Sequence, residues 1–405
     1  MKDPASSLQR FLVGGAVRDK LLGEPVGDRD WVVIGATEEV MRHLGFKLVG
    51  KEFPVFLHPV TGEEHALARR ERKVTLGYKG FRVDADSSVT LEEDLARRDL
   101  TINAIAQDAN GNIFDPFGGL EDLKKCKLRH VSPAFIEDPV RILRIARFAT
   151  RFNQRGFTIV DDTEKLIREM VHNGEVDALV PERIWRELDI ALTENKPSIF
   201  FQVLRHNEAL ARILPEIDEM FDRPLLHPVK DDNLNMNRGE LALSALDESA
   251  LITDDTRIRF AVLLYDLRGG SNTVKKLCSR LHLPSNYSIL ALTLREYHHL
   301  MSDSTKLSPA TILALLKSLS AFRNRDQLNS FLTGCRAIGN ITGKSKHISH
   351  ATNLLIHCLN AAANLDFSEL QVSGPEIKNK GAEADRRRLD AISNIYDNWK
   401  ESSLK

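Results

Sequence analysis

The sequence predicts an α+β fold: a small N-terminal head with a mixed β-sheet and helices, followed by an all-α neck, body and tail. Three observations predict it. Apolar runs that read as strands, Phe11 to Val13 and Trp31 to Ile34, lie early in the chain among glycine-marked turns. From about residue 205 onward such signals disappear, and leucine-rich helical periods such as LALSALDESALI and PATILALLKSL take over. The length of 405 residues suits two or three domains. We place the boundaries at 1–136, 137–224 and 225–405.

Composition narrows the class. Apolar content of 42% and charged content of 28% are those of a soluble globular chain. The formal net charge is −1, so a polyanionic partner would have to be met by local patches. Cys126, Cys278, Cys335 and Cys358 are far apart with no C-x-x-C pair, which suggests neither a zinc site nor a disulfide framework. The first ten residues are polar and read as a frayed lead-in. No apolar run approaches the ~18 residues of a membrane span, so the expectation is a cytoplasmic protein with no membrane partner. Oligomeric state is left open.

The head begins with the most informative stretch, LVGGAVRDKLLGEPVGDRDWVVI (12–34). The run ending at Val13 meets Gly14-Gly15, and an amphipathic segment, Ala16 to Leu22, follows up to Gly23: strand, tight turn, short helix. A second strand opens with Asp28-Arg29-Asp30. Alternation sends Asp28 and Asp30 to one face, about 7 Å apart. Two such carboxylates repel unless a cation lies between them, and hard oxygen ligands suit Mg²⁺. Gly14 and Gly15 lack Cβ atoms, so their N–H groups can turn inward as an anion nest beside a helix N-terminus. Arg18, one turn on, would add a bidentate phosphate ligand. Each short motif alone is ordinary punctuation or a solvated strand end; joined, they are specific.

The joined pattern G-G-x-V-R-D-x-L-L-G-x4-D-x-D resembles the first motif of the class II tRNA nucleotidyltransferases (CCA-adding enzymes) and the related bacterial poly(A) polymerases, whose catalytic domains are similar to the polymerase β superfamily. The resemblance implies a nucleotidyltransferase head in which Asp28 and Asp30 are catalytic and hold two Mg²⁺ ions. It also implies that Gly15 and Arg18 bind nucleotide. It covers roughly residues 11–225 with specific motifs and continues only loosely beyond.

Further along, Thr37 is placed to cap a helix to Leu44, with Gly45 as its stop. FPVFLHPVTGEEHALAR alternates as a hairpin around Thr61-Gly62. Glu64, Ala66 and Ala68 share a face of its second arm. If that arm lies beside the Asp28–Asp30 strand, Glu64 is a candidate third carboxylate near the metals, with an exposed strand residue an equal alternative. Residues 74–90 show no steady period and read as a mobile loop, either a lid or disordered. In the resembling family a loop here helps change nucleotide preference. Thr90 with Glu93 forms a capping box. The helix it starts would bury Leu91, Leu95, Ile102 and Ile105 and turn Arg97, Arg98, Asp99 and Asn103 outward. RRDLTINAIA is similar to the family's second motif, which implies that Arg98 and Asp99 hold the sugar and phosphates. Residues 115–123 read as a turn and short helix.

Asp138-Pro139 starts the next helix, Asp as cap and Pro at the first helical position. Arg141, Arg144, Arg147, Arg151 and Arg155 then recur within an arc of about 120°. No acid at i±4 relieves them, and such a ridge suits a triphosphate or an RNA end. E-D-P-V-R (137–141) matches the family's E-D-x-x-R motif, which implies that Asp138 and Arg141 read the base and that Arg144 and Arg147 bind nucleotide. The chemistry agrees. Cytosine and adenine each present an amino donor beside a ring-nitrogen acceptor, matching an acceptor-only carboxylate and a donor-only guanidinium. Uracil and guanine reverse that pattern.

Residues 157–204 continue as helices, one beginning at Pro181-Glu182. Leu225 to Glu240, rich in Asp and Asn, reads as a linker. Lys275-Lys276, Arg323/Arg325 and Arg386 to Arg388 are basic clusters of the kind solvated surfaces carry. Some relatives carry an HD phosphohydrolase domain in this half. Here FAVLLYDLRGG holds Tyr265-Asp266 in place of His-Asp. His227, His298 and His299 are present, but tyrosine is a poor substitute for an imidazole ligand, so phosphohydrolase activity is expected to be absent. The resemblance implies template-independent addition and repair of the 3′-terminal CCA of tRNA from CTP and ATP, with the helical body on the tRNA 3′ end and acceptor arm. The alternatives are a poly(A) polymerase, an inactive tRNA-binding relative and a small-molecule nucleotidyltransferase.

Overall fold

A computed structural model describes residues 3–49, 54–73, 81–84, 86–222, 224, 236–303, 307–367 and 377–403. The chain forms two compact units, Met1–Leu188 with Ile199–Ile213, and Asp189–Ser198 with Leu214–Lys405.

The first unit opens with β1 (Gln9–Val13), α1 (Gly15–Leu22), β2 (Asp30–Ile34), α2 (Glu38–His43), β3 (Lys47–Val49), β4 (Val55–Leu57) and β5 (Glu64–Leu67). Then come β6 (Arg70–Lys73), β7 (Phe81–Asp84), α3 (Leu91–Ala96), β8 (Ala106–Gln107), β9 (Ile113–Phe114), α4 (Gly119–Lys124), β10 (Lys127–Leu128), α5 (Val140–Arg151), β11 (Thr158–Ile159), α6 (Asp161–His172) and α7 (Pro181–Leu192), whose last residues enter the second unit. α8 (Ser198–His206) and α9 (Leu210–Ile213) complete it.

Seven strands form one sheet in the order β3-β4-β5-β2-β1-β8-β9. β1 runs antiparallel to β2 and β8, whereas β2 and β5 are parallel with Asp30 opposite Glu64. The sheet is therefore mixed, as expected. Alternation along β2 decides what each face does. Val32 joins Phe11, Val13, Leu95 and Ala106 in one core, and Val33 joins Met41, Phe46, Phe56 and Leu67 in the other. Asp30, in phase with Val32, falls on the α3 face.

Local signals account for several elements. Gly23 closes α1 at φ 71°, its N–H bonding Asp19 and Lys20 carbonyls. Thr37 caps α2 through Val40 N–H, and Thr90 and Glu93 form the anticipated capping box. The hairpin around Thr61-Gly62 forms from β4 and β5. Asp115 accepts from Gly119 and Leu120 N–H at 2.7 and 2.8 Å and so starts α4. A Cβ on Gly119 would come within 2.2 Å of the Thr101 carbonyl oxygen, so only glycine permits that approach.

Other expectations are corrected. The lead-in is not frayed over residues 3–8: a 3₁₀ turn, Pro4–Ser7, buries Ala5, and Asp3 binds Arg10 and His58 at 2.7 and 2.9 Å. β2 begins at Asp30, so Asp28 precedes the strand. The segment after Thr90 is not one helix. α3 stops at Ala96, and a separate 3₁₀ turn, Thr101–Asn103, buries Ile102. The stripe imitated a helix because Leu95, Ile102 and Ile105 are all fully buried although they belong to separate pieces. Phe81–Asp84 within the expected loop pairs with β6; residues 74–80 and 85 lie outside the described residues. A short parallel pair, β10 with β11, was unanticipated.

The second unit is helical: α10 (Pro215–Asp218), α11 (Arg238–Ile252), α12 (Thr256–Leu263), α13 (Gly270–Arg280), α14 (Ser285–Ser302), α15 (Pro309–Ser318), α16 (Arg325–Thr342), α17 (Ser345–Ala363) and α18 (Ile377–Ser403). α12 packs on α11, α14 and α16, while α18 lies along α15 and α17. Most of the expected linker, 225–235, is outside the described residues; Asn237 and Glu240 form the capping box that opens α11. Among the described residues, no helix is long and apolar enough to cross a membrane.

Candidate active site

The first unit contains a cleft of about 1020 Å³ that gathers most of the chemistry read from the sequence. Gly14, Gly15, Arg18, Asp28, Asp30, Arg98, Asp99, Asp138, Arg141, Arg144 and Arg147 all line it. Every predicted site residue is thus brought together, from segments more than a hundred residues apart. Ten arginines and five aspartates contribute to the wall, with no serine, cysteine, histidine or lysine among its described residues. Such a surface offers no hydroxyl, thiol, amine or imidazole nucleophile among its described residues and suits placement of a polyanion.

The glycine corner is shaped by conformation. Gly14 precedes α1 at φ 67°, where L-residues are strained, and a Cβ there would meet Arg98 Nη1 at 3.1 Å. Arg98 therefore lies against the corner. Its Nη2 donates to Asp94 at 3.1 Å, while its Nε–H is buried with no acceptor among the described residues. A ligand oxygen would satisfy that donor.

Arg18 is buried rather than extended into the cleft. Its Nε donates to Asp19 Oδ1 at 2.8 Å and its Nη1 to Asn103 Oδ1 at 2.6 Å, and the guanidinium lies over Phe148 and Phe152. Asn103 passes the connection on, its Nδ2 donating to Asp99 Oδ1 at 2.9 Å. Asp99 Oδ2 accepts from Arg144 Nε at 2.7 Å. Burial alone would raise the Asp99 carboxyl, but Arg144 and Asn103 overcome it and hold the group well below the usual carboxylate range.

The arginine ridge is relieved, contrary to the expectation from its local sequence. Arg144 meets Asp99, Arg147 Nε donates to Glu187 Oε2 at 2.6 Å, Arg151 Nη2 pairs with Asp19 at 3.0 Å, and Arg155 pairs with Glu24. The acids come from α1, the following turn, the Asp99 segment and α7, all beyond the reach of an i±4 search. Arg155 also leaves the ridge helix, lying in a 3₁₀ turn after α5. Arg141 is 7% exposed and donates to the Ala134 and Arg97 carbonyls at 2.8 and 2.5 Å. This ties the start of α5 to the Arg97–Asp99 segment.

Asp138 caps α5, its Oδ1 accepting from Val140 N–H at 3.1 Å. Sequence reasoning missed its second partner. Arg183, in the first turn of α7, forks onto the carboxylate with Nη1 to Oδ1 at 3.0 Å and Nη2 to Oδ2 at 2.7 Å. Arg183, Arg186 and Glu187 recur at three- and four-residue steps in ERIWRE, a basic helical face that could have drawn attention to them.

The opposite edge carries acids without counterions. Among the described residues, no hydrogen bond or ion pair holds the carboxylates of Asp28, Asp30 or Glu64. Partial desolvation and then the Glu64 charge push the Asp30 carboxyl above its ordinary range, Arg98 opposes this, and Asp28 adds to it. A divalent cation would relieve that cost, and hard carboxylate oxygens fit Mg²⁺. Glu64 lies opposite Asp30 in the register, but its side chain is exposed and it is not among the residues lining the cleft. Among the described residues, no three ligand-type side chains are already gathered as a metal cluster.

This mixed-sheet head with its anion-binding cleft is that of a nucleotidyltransferase. Residues 10–129 match the family described as the poly A polymerase head domain, and residues 156–221 match that described as a probable RNA and SrmB-binding site of polymerase A. The chain is 49% identical over 350 residues to the multifunctional CCA protein of Thioalkalivibrio sulfidiphilus, spanning 82% of this chain and 84% of that one. Against the multifunctional CCA protein of Vibrio campbellii it is 41% identical over 409 residues, spanning 95% and 98%. The chain belongs to the multifunctional CCA protein family. Its fold is also that of the Thermotoga maritima CCA-adding enzyme complexed with tRNA (TM-score 0.63, 20% identity, 100% of this chain and 93% of that one).

Proposed function

We propose that this chain adds and repairs the 3′-terminal CCA of tRNA without a template, taking CTP and ATP and releasing pyrophosphate. One observation carries the reading: a cleft walled by arginines holds, at one edge, the carboxylates of Asp28 and Asp30, which form no ion pair among the described residues. In the reaction the RNA 3′-oxygen forms a bond to the α-phosphorus as the bond to the bridging oxygen breaks, and the pyrophosphate leaves in line. Held by Asp28 and Asp30, Mg²⁺ would lower the pKa of the attacking hydroxyl and neutralise the triphosphate and leaving group.

The chain's own residues supply placement and charge. Gly15 and the start of α1 offer backbone N–H groups to phosphate oxygens. Arg98, whose Nη1 lies against the glycine corner, offers its positive charge. Arg144 and Arg147 turn their remaining N–H donors to sugar and phosphates, and the buried Arg18 braces them through Asn103 and Asp99. Asp138 and Arg141 read the base, accepting from the amino group of cytosine or adenine and donating to the adjacent ring nitrogen. In this reading 1–136 is the catalytic head, 137–224 the neck that recognises the base, and 225–405 the body that holds the tRNA acceptor arm. The setting is the cytoplasm.

The test supplies each of the four triphosphates with Mg²⁺ to a tRNA trimmed of its end. CTP alone should add two C residues, and ATP should then add one A. A run of A from ATP alone would instead indicate a poly(A) polymerase, and no incorporation at all would indicate an inactive RNA-binding relative.

The same reading has no phosphohydrolase site in the second unit. Three features support this. Tyr265 stands where a histidine ligand would be needed, with its ring 5.1 Å from that of His298. Asp266 is paired with Arg238 at 2.9 Å. Burial pushes His298 down to about 4, and its Nδ1 lies 3.0 Å from the Leu294 carbonyl oxygen. Phosphate release from a simple ester, stimulated by Mg²⁺ or Ni²⁺ and lost in Asp266→Ala, would refute it.

A further inference from the structure

A carboxylate that reads a base must be aimed, and the structure shows what aims Asp138. Its oxygens receive three donors: Val140 N–H and Arg183 Nη1 on Oδ1, and Arg183 Nη2 on Oδ2. Two parallel N–H···O bonds at 3.0 and 2.7 Å fix the plane of the group, because a fork cannot follow a carboxylate that turns about its last torsion. An ionised carboxylate has about four lone-pair positions. The cap and the fork occupy both on Oδ1 and one on Oδ2, leaving a single Oδ2 position toward an incoming donor.

We propose that Arg183 is a specificity-determining positioning residue: it holds Asp138 so that only one acceptor direction faces the nucleobase. The inference rests on the reading of Asp138 as the base-recognising acid. Its consequence is chemical. Uracil and guanine carry a ring N–H where cytosine and adenine carry a bare ring nitrogen. A carboxylate free to turn could accept that N–H and so tolerate the wrong base. A clamped carboxylate cannot, and the mismatch leaves donors and acceptors unpaired, which is the costly outcome in a site built on hydrogen bonds. Arg183 itself need not touch the nucleotide. It comes from α7, 45 residues away, and its fork spans the gap between the start of α5 and the start of α7.

The experiment measures kcat/KM for UTP and for CTP on a trimmed tRNA, using the full chain and its variants Arg183→Met, Arg183→Lys, Asp138→Ala and the Asp138→Ala/Arg183→Met pair. Arg183→Met should raise the UTP-to-CTP ratio about tenfold, a modest share of the discrimination a hydrogen-bonding site achieves. Arg183→Lys keeps the charge but loses the fork, and should fall between Met and Arg. In the Asp138→Ala background, adding Arg183→Met should leave the ratio unchanged. A merely structural arginine would lower the melting temperature and both kcat/KM values together without moving their ratio. A wild-type ratio in both Arg183 variants, with a raised ratio in Asp138→Ala, would overturn the part given to Arg183 alone. An unchanged ratio in Asp138→Ala would overturn the reading of Asp138 and this inference with it. Should Arg183→Met fail to fold, the Lys variant decides the same question.

Discussion

The two sides of the cleft treat charge in opposite ways. On α5, a ridge of arginines that looks unrelieved in sequence is matched acid by acid: Asp99 on Arg144, Glu187 on Arg147, Asp19 on Arg151 and Glu24 on Arg155. On the β2–β5 edge, acids that look ordinary in sequence form no ion pair among the described residues, and Asp30 is pushed above its usual range by partial desolvation and its acidic neighbours. The contrast separates two uses of charge. Paired arginines are held rigid and keep spare donors for an anion, whereas the ionised Asp30 carries a cost that a bound cation would remove. Local charge patterning predicts neither, because the partners are set by the fold.

The strongest way to break this comparison is to remove one unpaired acid. Asp30→Asn should lower nucleotide addition by about 10³-fold or more, the scale for losing a central electrostatic group. It should not lower thermal stability, since a carboxyl whose folded-state pKa is raised is worse off charged in the fold than in the unfolded chain. Mg²⁺ should raise the melting temperature of the wild type and not of this variant. Retained turnover, or an equal Mg²⁺ shift in both, would remove the metal role from that edge.

The opposite result is expected on the paired side. Glu187 and Arg147 have side chains 8% and 10% exposed, and Glu187 Oε1 also lies 3.9 Å from Arg144. Glu187→Gln leaves a nearly buried guanidinium without its counterion, a change that costs about 3–5 kcal/mol when one partner of a buried pair is lost. Urea unfolding measures it. A loss below about 1 kcal/mol would place this pair with surface ion pairs and weaken the idea of a rigid, braced wall.

Why some of this was legible in sequence and some not follows from distance along the chain. The glycine corner and Asp28–Asp30 lie within one stretch, so turn chemistry and close spacing brought them out, although Asp28 lies before the strand and not on it. Asp138 and Arg141 were readable for the same reason, one helical turn apart at a cap. The resemblance to a known family supplied Arg98 and Asp99, whose own pattern reads as a solvated face. Asn103 and Arg183 escaped as linking residues because their partners are defined only by folding; Arg183 reaches Asp138 across 45 positions. The supposed helix through Ile105 failed for a different reason. Burial at helical spacing is necessary for an amphipathic helix but not sufficient, and a 3₁₀ turn can bury Ile102 as well as a helix would.

The pH dependence of stability sharpens the comparison further. Asp99 titrates below its unfolded value near 4, so its contribution is complete above that value and is lost as pH falls toward the folded value. Asp30 has the opposite sign: its penalty is relieved by the same acidification. In Asp99→Asn, the fall in unfolding free energy between about pH 4 and 2 should therefore be shallower than in the wild type. In Asp30→Asn the difference from the wild type should fall higher, from the raised folded value down to about pH 4, where acidification relieves the wild type's penalty and has none to relieve in the variant. Parallel slopes in all three proteins would mean that neither carboxyl differs between folded and unfolded chains.

The smallest expected effect concerns the helix that connects the two sides. α3 begins at Thr90, whose Oγ1 accepts from Glu93 N–H at 3.3 Å while Glu93 Oε2 accepts from Thr90 N–H at 3.0 Å. Glu93 also receives both donors of Arg70 at 2.9 Å, which together with the cap holds its carboxyl down at about 2. Thr90→Ala removes one reciprocal bond and should cost about 1 kcal/mol. Fraying at this end need not reach the cleft. Arg97 and Arg98, at the far end, are held by the fully buried Asp94, and Asp99 by Asn103 and Arg144. Thr90→Ala should therefore lower the unfolding free energy while leaving the preference for CTP over UTP as it was. A shift in that preference would show that the arginines take their position from the whole of α3 rather than from the acid beneath them.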